Sequence, residues 1–189
     1  LPPSINKSDK HFNVADGDII YGLAGIKGVG EGPVEAIVRE REANGPYTSF
    51  MEFLSRQSEG VVNSKILDAL IRAGAFDELG IDSATLLANL EDALKFDKAS
   101  KDTTAYGQLS LFGDDDETMN EFRMKPVDPF PKAEKLQMEK ELLGFYISGH
   151  PLDEYEDMIA ASVRTDLSDP STIQLNKPCS LIAMVTSVR

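Results

Sequence analysis

The feature that most constrains this chain is a glycine-bracketed turn, Ile26-Lys27-Gly28-Val29-Gly30-Glu31-Gly32-Pro33, followed by an apolar-striped helical run. Gly28 and Gly30 flank a single apolar residue. That pattern suits a tight turn in which one or both glycines take positive φ and the main chain comes close to a partner. Val29 is expected to plug inward while the glycines face out. Pro33 fits the first position of a helix, where its missing N–H would be unpaired anyway, and Val34, Ile37 and Val38 supply an i, i+3, i+4 stripe. Turn amides at a helix start form an anion site that holds phosphate oxygens without reading a base.

An apolar residue, a G-x-G turn and a striped helix together resemble the helix-hairpin-helix motif of non-sequence-specific DNA-binding proteins. The phosphate-contacting positions on that resemblance are Lys27, Gly28, Val29, Gly30, Glu31 and Gly32. The plainer alternative is a glycine turn that only lets two helices pack closely. Helix, glycine turn and helix recur further on. Ile66, Leu67, Leu70 and Ile71 stripe one run, capped by Asn63 or Ser64, which ends at Ala73-Gly74-Ala75-Phe76-Asp77. A capped run striped by Leu86, Leu87, Leu90 and Leu94 follows. In this second copy Ala75 replaces the glycine after the turn and the loop is longer, so a structural partner is the better expectation for it.

Elsewhere the elements are short. A β-hairpin is expected from residues 12–14 and 19–21 around an Asp-Gly turn, and a short helix capped by Ser49 carries Phe50, Phe53 and Leu54 on one face. From Lys98 the apolar period is lost and the composition is that of a flexible linker. It leads to Gln108-Leu109-Ser110-Leu111-Phe112, followed by the acidic run Gly113-Asp114-Asp115-Asp116-Glu117. Large apolar residues on a polar tether make a poor core element and a good docking peptide. The Q-L-x-L-F spacing resembles the peptide by which bacterial polymerases and repair proteins bind the ring-shaped sliding clamp. Gln108, Leu109, Ser110, Leu111 and Phe112 are the clamp-binding positions it implies; a short edge strand is the alternative. Residues 126–131 read as a rigid connector, a charged helix follows over 134–143, and 179–188 is rich in β-formers.

With Tyr21-Gly22-Leu23, Ala73-Gly74-Ala75-Phe76-Asp77 and the long stretch Leu143-Gly144-Phe145-Tyr146-Ile147-Ser148-Gly149-His150-Pro151-Leu152, the chain resembles the bacterial DNA polymerase III alpha subunit family, the family C replicative polymerases. The resemblance implies a mainly α chain in four parts: residues 1–22 as the end of the fingers with a β-hairpin, 23–97 as a tandem helix-hairpin-helix module, 98–133 as a flexible linker with the clamp peptide 108–112, and 134–189 as a helical connector with the first, truncated OB-fold strand. It implies double-stranded DNA, the sliding clamp (beta subunit), the remaining polymerase domains and other replisome subunits as partners. The catalytic aspartates and their Mg²⁺ would lie in a palm domain upstream, leaving no cofactor and no active site in this segment.

Composition bounds these expectations. The net charge of −13 opposes broad electrostatic adhesion to DNA, so any contact must be local, made by amides and a few cations such as Lys27, Arg39 and Arg41. It also keeps open an acidic scaffold that binds the clamp but not DNA. A glycosylase-like use of Lys27 lacks the Gly-Pro-Asp that should follow the hairpin. Neither Ser148 nor His150 has the third partner of a triad. A lone Cys179 excludes an internal disulfide, and no apolar run reaches membrane-spanning length, which fits a cytoplasmic protein without a membrane partner.

Overall fold

The computed structural model describes residues 1–15, 17–105 and 122–162, with 171, 173, 177, 178 and 182–185 beyond them. They fall into two compact units, Leu1–Ser148 and Gly149–Arg189. The chain is mainly α. In the first unit β1 (Asn13–Ala15) and β2 (Asp18–Ile20) pair antiparallel, with Val14 opposite Ile19. The strands sit closer to the turn than residues 12–14 and 19–21 would place them. Phe12 and Tyr21 fall just outside the ladder, where their rings meet edge to face at 4.7 Å.

The first helix of the first hairpin is only a 3-10 turn, Leu23–Gly25. Flanking glycines raise the cost of helical backbone, and three residues cannot offset helix nucleation. Helix α1 (Glu31–Asn44) starts from Gly30, so Pro33 occupies its third position rather than its first. The substitution costs nothing, because the first four N–H groups of a helix have no intrahelical acceptor. At its far end the Gly45 amide, on a residue with φ 86°, closes onto the Arg41 carbonyl.

Helix α2 (Phe50–Arg56) is capped by the Ser49 hydroxyl, which accepts from the Glu52 amide. Helix α3 (Ser64–Arg72) is capped by Asn63, which accepts from the Ile66 amide. It closes with the Gly74 amide on the Ile71 carbonyl and the Ala75 amide on the Leu70 carbonyl, a left-handed glycine stop. Phe76 then drops into a cluster with Phe50 and Phe53 at ring distances of 5.1 and 5.0 Å. Burying each such ring is worth about 1.5–3 kcal/mol. Both hairpins feed one core: Leu23, Ile26, Val29, Val34 and Ile37 from the first, Leu67, Leu70, Ile71, Leu86 and Leu90 from the second. Ile5 and Tyr21 belong to it too.

Helix α4 (Ser83–Ala105) runs past Lys98, where a linker was expected. Its last turns are held by tertiary bonds. Lys101 Nζ donates to the carbonyls of Leu54 (2.8 Å) and Gln57 (2.9 Å) at the end of α2, and pairs with Asp97. Residues 122–127 have no regular structure, yet bonds to α4 hold them. Phe122 packs on Phe96, the Asn89 side chain both donates to the Lys125 carbonyl and accepts its amide at 2.9 Å, and the Val127 amide donates to Thr85 Oγ1. Helix α5 (Lys132–Leu143) then buries Leu136, Met138 and Leu143. It belongs to the first unit.

The second unit contains a 3-10 turn, Asp153–Tyr155, and α6 (Glu156–Ser162). The His150 amide donates to Asp153 Oδ2 and the Leu152 amide to His150 Nδ1, so this histidine shapes a loop. Of the OB-fold strand expected over 179–188, only 182–185 are described, and they lie in no strand. Cys179 lies outside the described residues.

Candidate nucleic-acid interface

The first hairpin turn is built from the inside outward. Ile26 and Val29 are buried at 1% and 6% exposure and pin the turn to the core. Lys27, Gly28, Gly30, Glu31 and Gly32 are all exposed. Gly28 takes φ 91° and Gly30 an ordinary extended φ of −80°, so only one of the bracketing glycines needs the left-handed region. The turn sits on a close backbone approach: a Cβ on Gly22 would lie 2.4 Å from the His11 carbonyl carbon. That approach lets the Leu23 and Ala24 amides donate to the Asp9 and Lys10 carbonyls.

The amides divide into two sets. Val29 donates to the Ile26 carbonyl, and Lys27 donates across the fold to the Leu142 carbonyl at 3.0 Å. The amides of Gly28, Gly30, Glu31 and Gly32 meet no protein acceptor among the described residues. They lie at the positive end of the α1 dipole, where free main-chain donors favour negative charge.

The cations are not arranged as the sequence suggests. Arg41, one of three candidate phosphate contacts, is 11% exposed; its Nη1 donates to the Ile5 and Ser8 carbonyls and its Nη2 pairs with Asp9. Its guanidinium organises the N-terminal loop and is not available to a ligand. Lys27 and Arg39 remain exposed. Lys10, which sequence patterning overlooks, reaches the start of α1 and pairs with both Glu31 and Glu35. The Lys10 contact holds the Glu31 carboxyl below its usual range, and the two carboxylates raise Lys10. No local window signals this, because Lys10 sits on a loop well before the helix.

The second hairpin has a different chemistry. The Gly74, Ala75, Asp77, Leu79 and Gly80 amides are all satisfied by nearby carbonyls, and Asp82 accepts from the Ala84 amide at the start of α4. Asp82 also pairs with Lys135 of α5 at 2.7 Å, which lowers its pKa. Burial pushes the neighbouring Asp77 carboxyl up. A turn whose donors are filled and whose rim carries carboxylates presents little to a phosphate. Arg72, the cation at the end of α3, is paired with Asp68.

Gln108, Leu109, Ser110, Leu111 and Phe112 lie outside the described residues. Among the described residues no group of three or more His, Cys, Asp or Glu gathers as a metal-ligand set. None of their helices is long and apolar enough to cross a membrane.

Residues 1–86 match the family model described as helix-hairpin-helix motif, which agrees with the hairpin geometry and fixes the class of module. Beyond that module, the chain is 43% identical over 166 residues to DNA polymerase III subunit alpha of Treponema pallidum, covering 87% of this chain and 14% of the relative. It is 34% identical over 192 residues to the subunit of Vibrio cholerae, covering 100% of this chain and 17% of the relative. For Escherichia coli the figures are 39% over 158 residues, with 82% and 14% covered. The chain belongs to the DNA polymerase III subunit alpha family. It spans 14–17% of the length of these relatives.

Proposed function

We propose that this chain is a non-catalytic part of a bacterial replicative polymerase that contacts the duplex DNA backbone without sequence preference and tethers the enzyme to the sliding clamp for processive synthesis. The observation that carries the DNA part is the set of amides without a protein acceptor among the described residues, at the exposed Gly28, Gly30, Glu31 and Gly32 beside the exposed Lys27. Lys27 adds charge at the rim, and Lys10 offsets Glu31 and Glu35 so that the α1 start is less repulsive to a phosphate. Weak backbone contact of this kind becomes useful once a tether supplies a high effective concentration on the duplex.

The clamp part rests on the Q-L-x-L-F pattern of Gln108, Leu109, Ser110, Leu111 and Phe112. The apolar side chains enter pockets between clamp domains, and Gln108 fixes register at the rim. The other polymerase domains, including a Mg²⁺-dependent palm, and further replisome subunits complete the assembly in the cytoplasm. An acidic scaffold that binds the clamp but not DNA is the second reading, favoured by the net charge of −13.

The test is titration of purified sliding clamp into the chain and into a Leu111→Ala, Phe112→Ala double variant, with duplex binding measured beside it. Anchors of this kind lose ~2 kcal/mol or more each on truncation, so the double variant should bind tens of times more weakly. An intact chain that does not bind the clamp refutes the tether. Clamp binding with no salt-sensitive duplex binding selects the scaffold.

A further inference from the structure

We infer that Tyr21 and the end of α5 are positioning parts of the first hairpin, so that its phosphate-facing amides take their geometry from residues far along the chain. This inference rests on the DNA reading above. The Tyr21 ring is 5% exposed, between Phe12 at 4.7 Å and Phe145 at 5.7 Å. Its single hydroxyl proton is shared between the Gly25 carbonyl at 3.0 Å and the Leu143 carbonyl at 3.1 Å, and burial raises its pKa.

The adjacent carbonyl, Leu142, accepts the Lys27 amide at 3.0 Å. Two consecutive carbonyls at the C-terminal end of α5 therefore grip both sides of the hairpin, one just before the turn and one inside it. Such carbonyls have no intrahelical donor and are among the stronger local acceptors a helix offers. With the Lys27 N–H bonded to Leu142, the next residue, Gly28, takes φ 91° and its amide meets no protein acceptor among the described residues. Removing the tyrosine hydroxyl frees the Gly25 end of that grip while the ring still fills its place.

The control is Tyr47. Its hydroxyl is also buried, donates to the Ile37 carbonyl at 3.0 Å and accepts from Gln57 Nε2, but it lies in the aromatic core away from the turn. Tyr21→Phe and Tyr47→Phe thus remove comparable buried hydroxyls, and a purely structural role predicts the same outcome for both. The measurements are thermal midpoint, amide hydrogen exchange of Lys27, ¹H–¹⁵N shifts of Gly28 and Gly30, and affinity for a short mixed-sequence DNA duplex.

For Tyr21→Phe the expected result is faster exchange at Lys27, displaced Gly28 and Gly30 resonances, and duplex affinity reduced by about three- to tenfold. Tyr47→Phe should lower the midpoint to a similar degree while leaving hairpin shifts and affinity within about twofold of the parent. Equal loss of affinity in both variants overturns the inference, as does parental affinity in Tyr21→Phe. A parent chain with no duplex affinity overturns the DNA reading. In that case unchanged Gly28 and Gly30 shifts in Tyr21→Phe overturn the positioning as well, and displaced shifts uphold it.

Discussion

Replacing Gly22 by alanine should damage this protein more than replacing the glycine inside the turn. Gly22 has φ −74° and ψ 138°, a conformation open to any residue, so its requirement is one of space alone. An added Cβ would sit 2.4, 2.7 and 2.8 Å from the carbonyl carbon, Cα and carbonyl oxygen of His11. These are main-chain atoms, which cannot rotate away. Relief requires the 9–11 segment to move, and that segment accepts the Leu23 amide at 2.9 Å and the Ala24 amide at 3.1 Å. Overpacking costs about 1–3 kcal/mol and each of the two bonds, weakened rather than lost, about 0.5 kcal/mol, so Gly22→Ala should lose about 2–4 kcal/mol. Gly28 presents the opposite case. At φ 91° with nothing within 4 Å, its alanine variant bears only left-handed strain, about 1–2 kcal/mol. Urea unfolding of both variants at a fixed pH measures the difference, and the thermal midpoint of Gly22→Ala should fall by about 5–15 °C. A loss below about 1 kcal/mol for Gly22→Ala, or one smaller than that of Gly28→Ala, would refute the close-approach reasoning.

The other expectations concern charge. Lys27→Ala should leave the urea midpoint unchanged while lowering the salt slope of duplex binding by about 1, whereas Arg41→Ala should cost about 2–3 kcal/mol of stability with no change in that slope. The Glu52 carboxyl is held at about 2, against an ordinary 4.5, by the Thr48 hydroxyl first, then the Thr48 amide and Arg56. Its contribution is complete above the ordinary value and disappears as pH falls through about 2, so Glu52→Gln should flatten the acid limb of the stability curve between those values. Asp77 has the opposite sign, because burial raises its folded pKa and penalises the charged form. Asp77→Asn, which keeps an acceptor for the Ser83 hydroxyl, should raise the urea midpoint at pH 7 and lose part of that advantage as the pH is lowered.

The local signals in this sequence were the dependable ones. Ser49 and Asn63 cap the helices expected of them, and Gly74 stops α3, because each depends on residues within a turn of itself. The core faces of α2 and α3 follow from apolar spacing in the same way. What the sequence hid were side chains reaching main chain far away. Lys101 extends α4 only because α2 offers it the Leu54 and Gln57 carbonyls, and by composition alone the same residues look like linker. Arg41 looked like an exposed cation on a helix face until the N-terminal loop folded over it. The hairpin residues from Lys27 to Gly32 are brought together by the turn itself, so their identity was legible. Which of their amides keep no protein acceptor was not, since Leu142, far along the chain, takes the Lys27 amide.

The bond between Tyr21 and Leu143 joins residues 122 positions apart, and this sets the order in which the chain can mature during synthesis. The hairpin precedes its last partners, which are translated after both hairpins and α4. At a translation rate of about 5–20 residues per second, a nascent hairpin waits on the order of 6–24 s for that carbonyl. Until then its glycine turn lacks both carbonyl contacts from α5, and the docking of α5 is the step that supplies them.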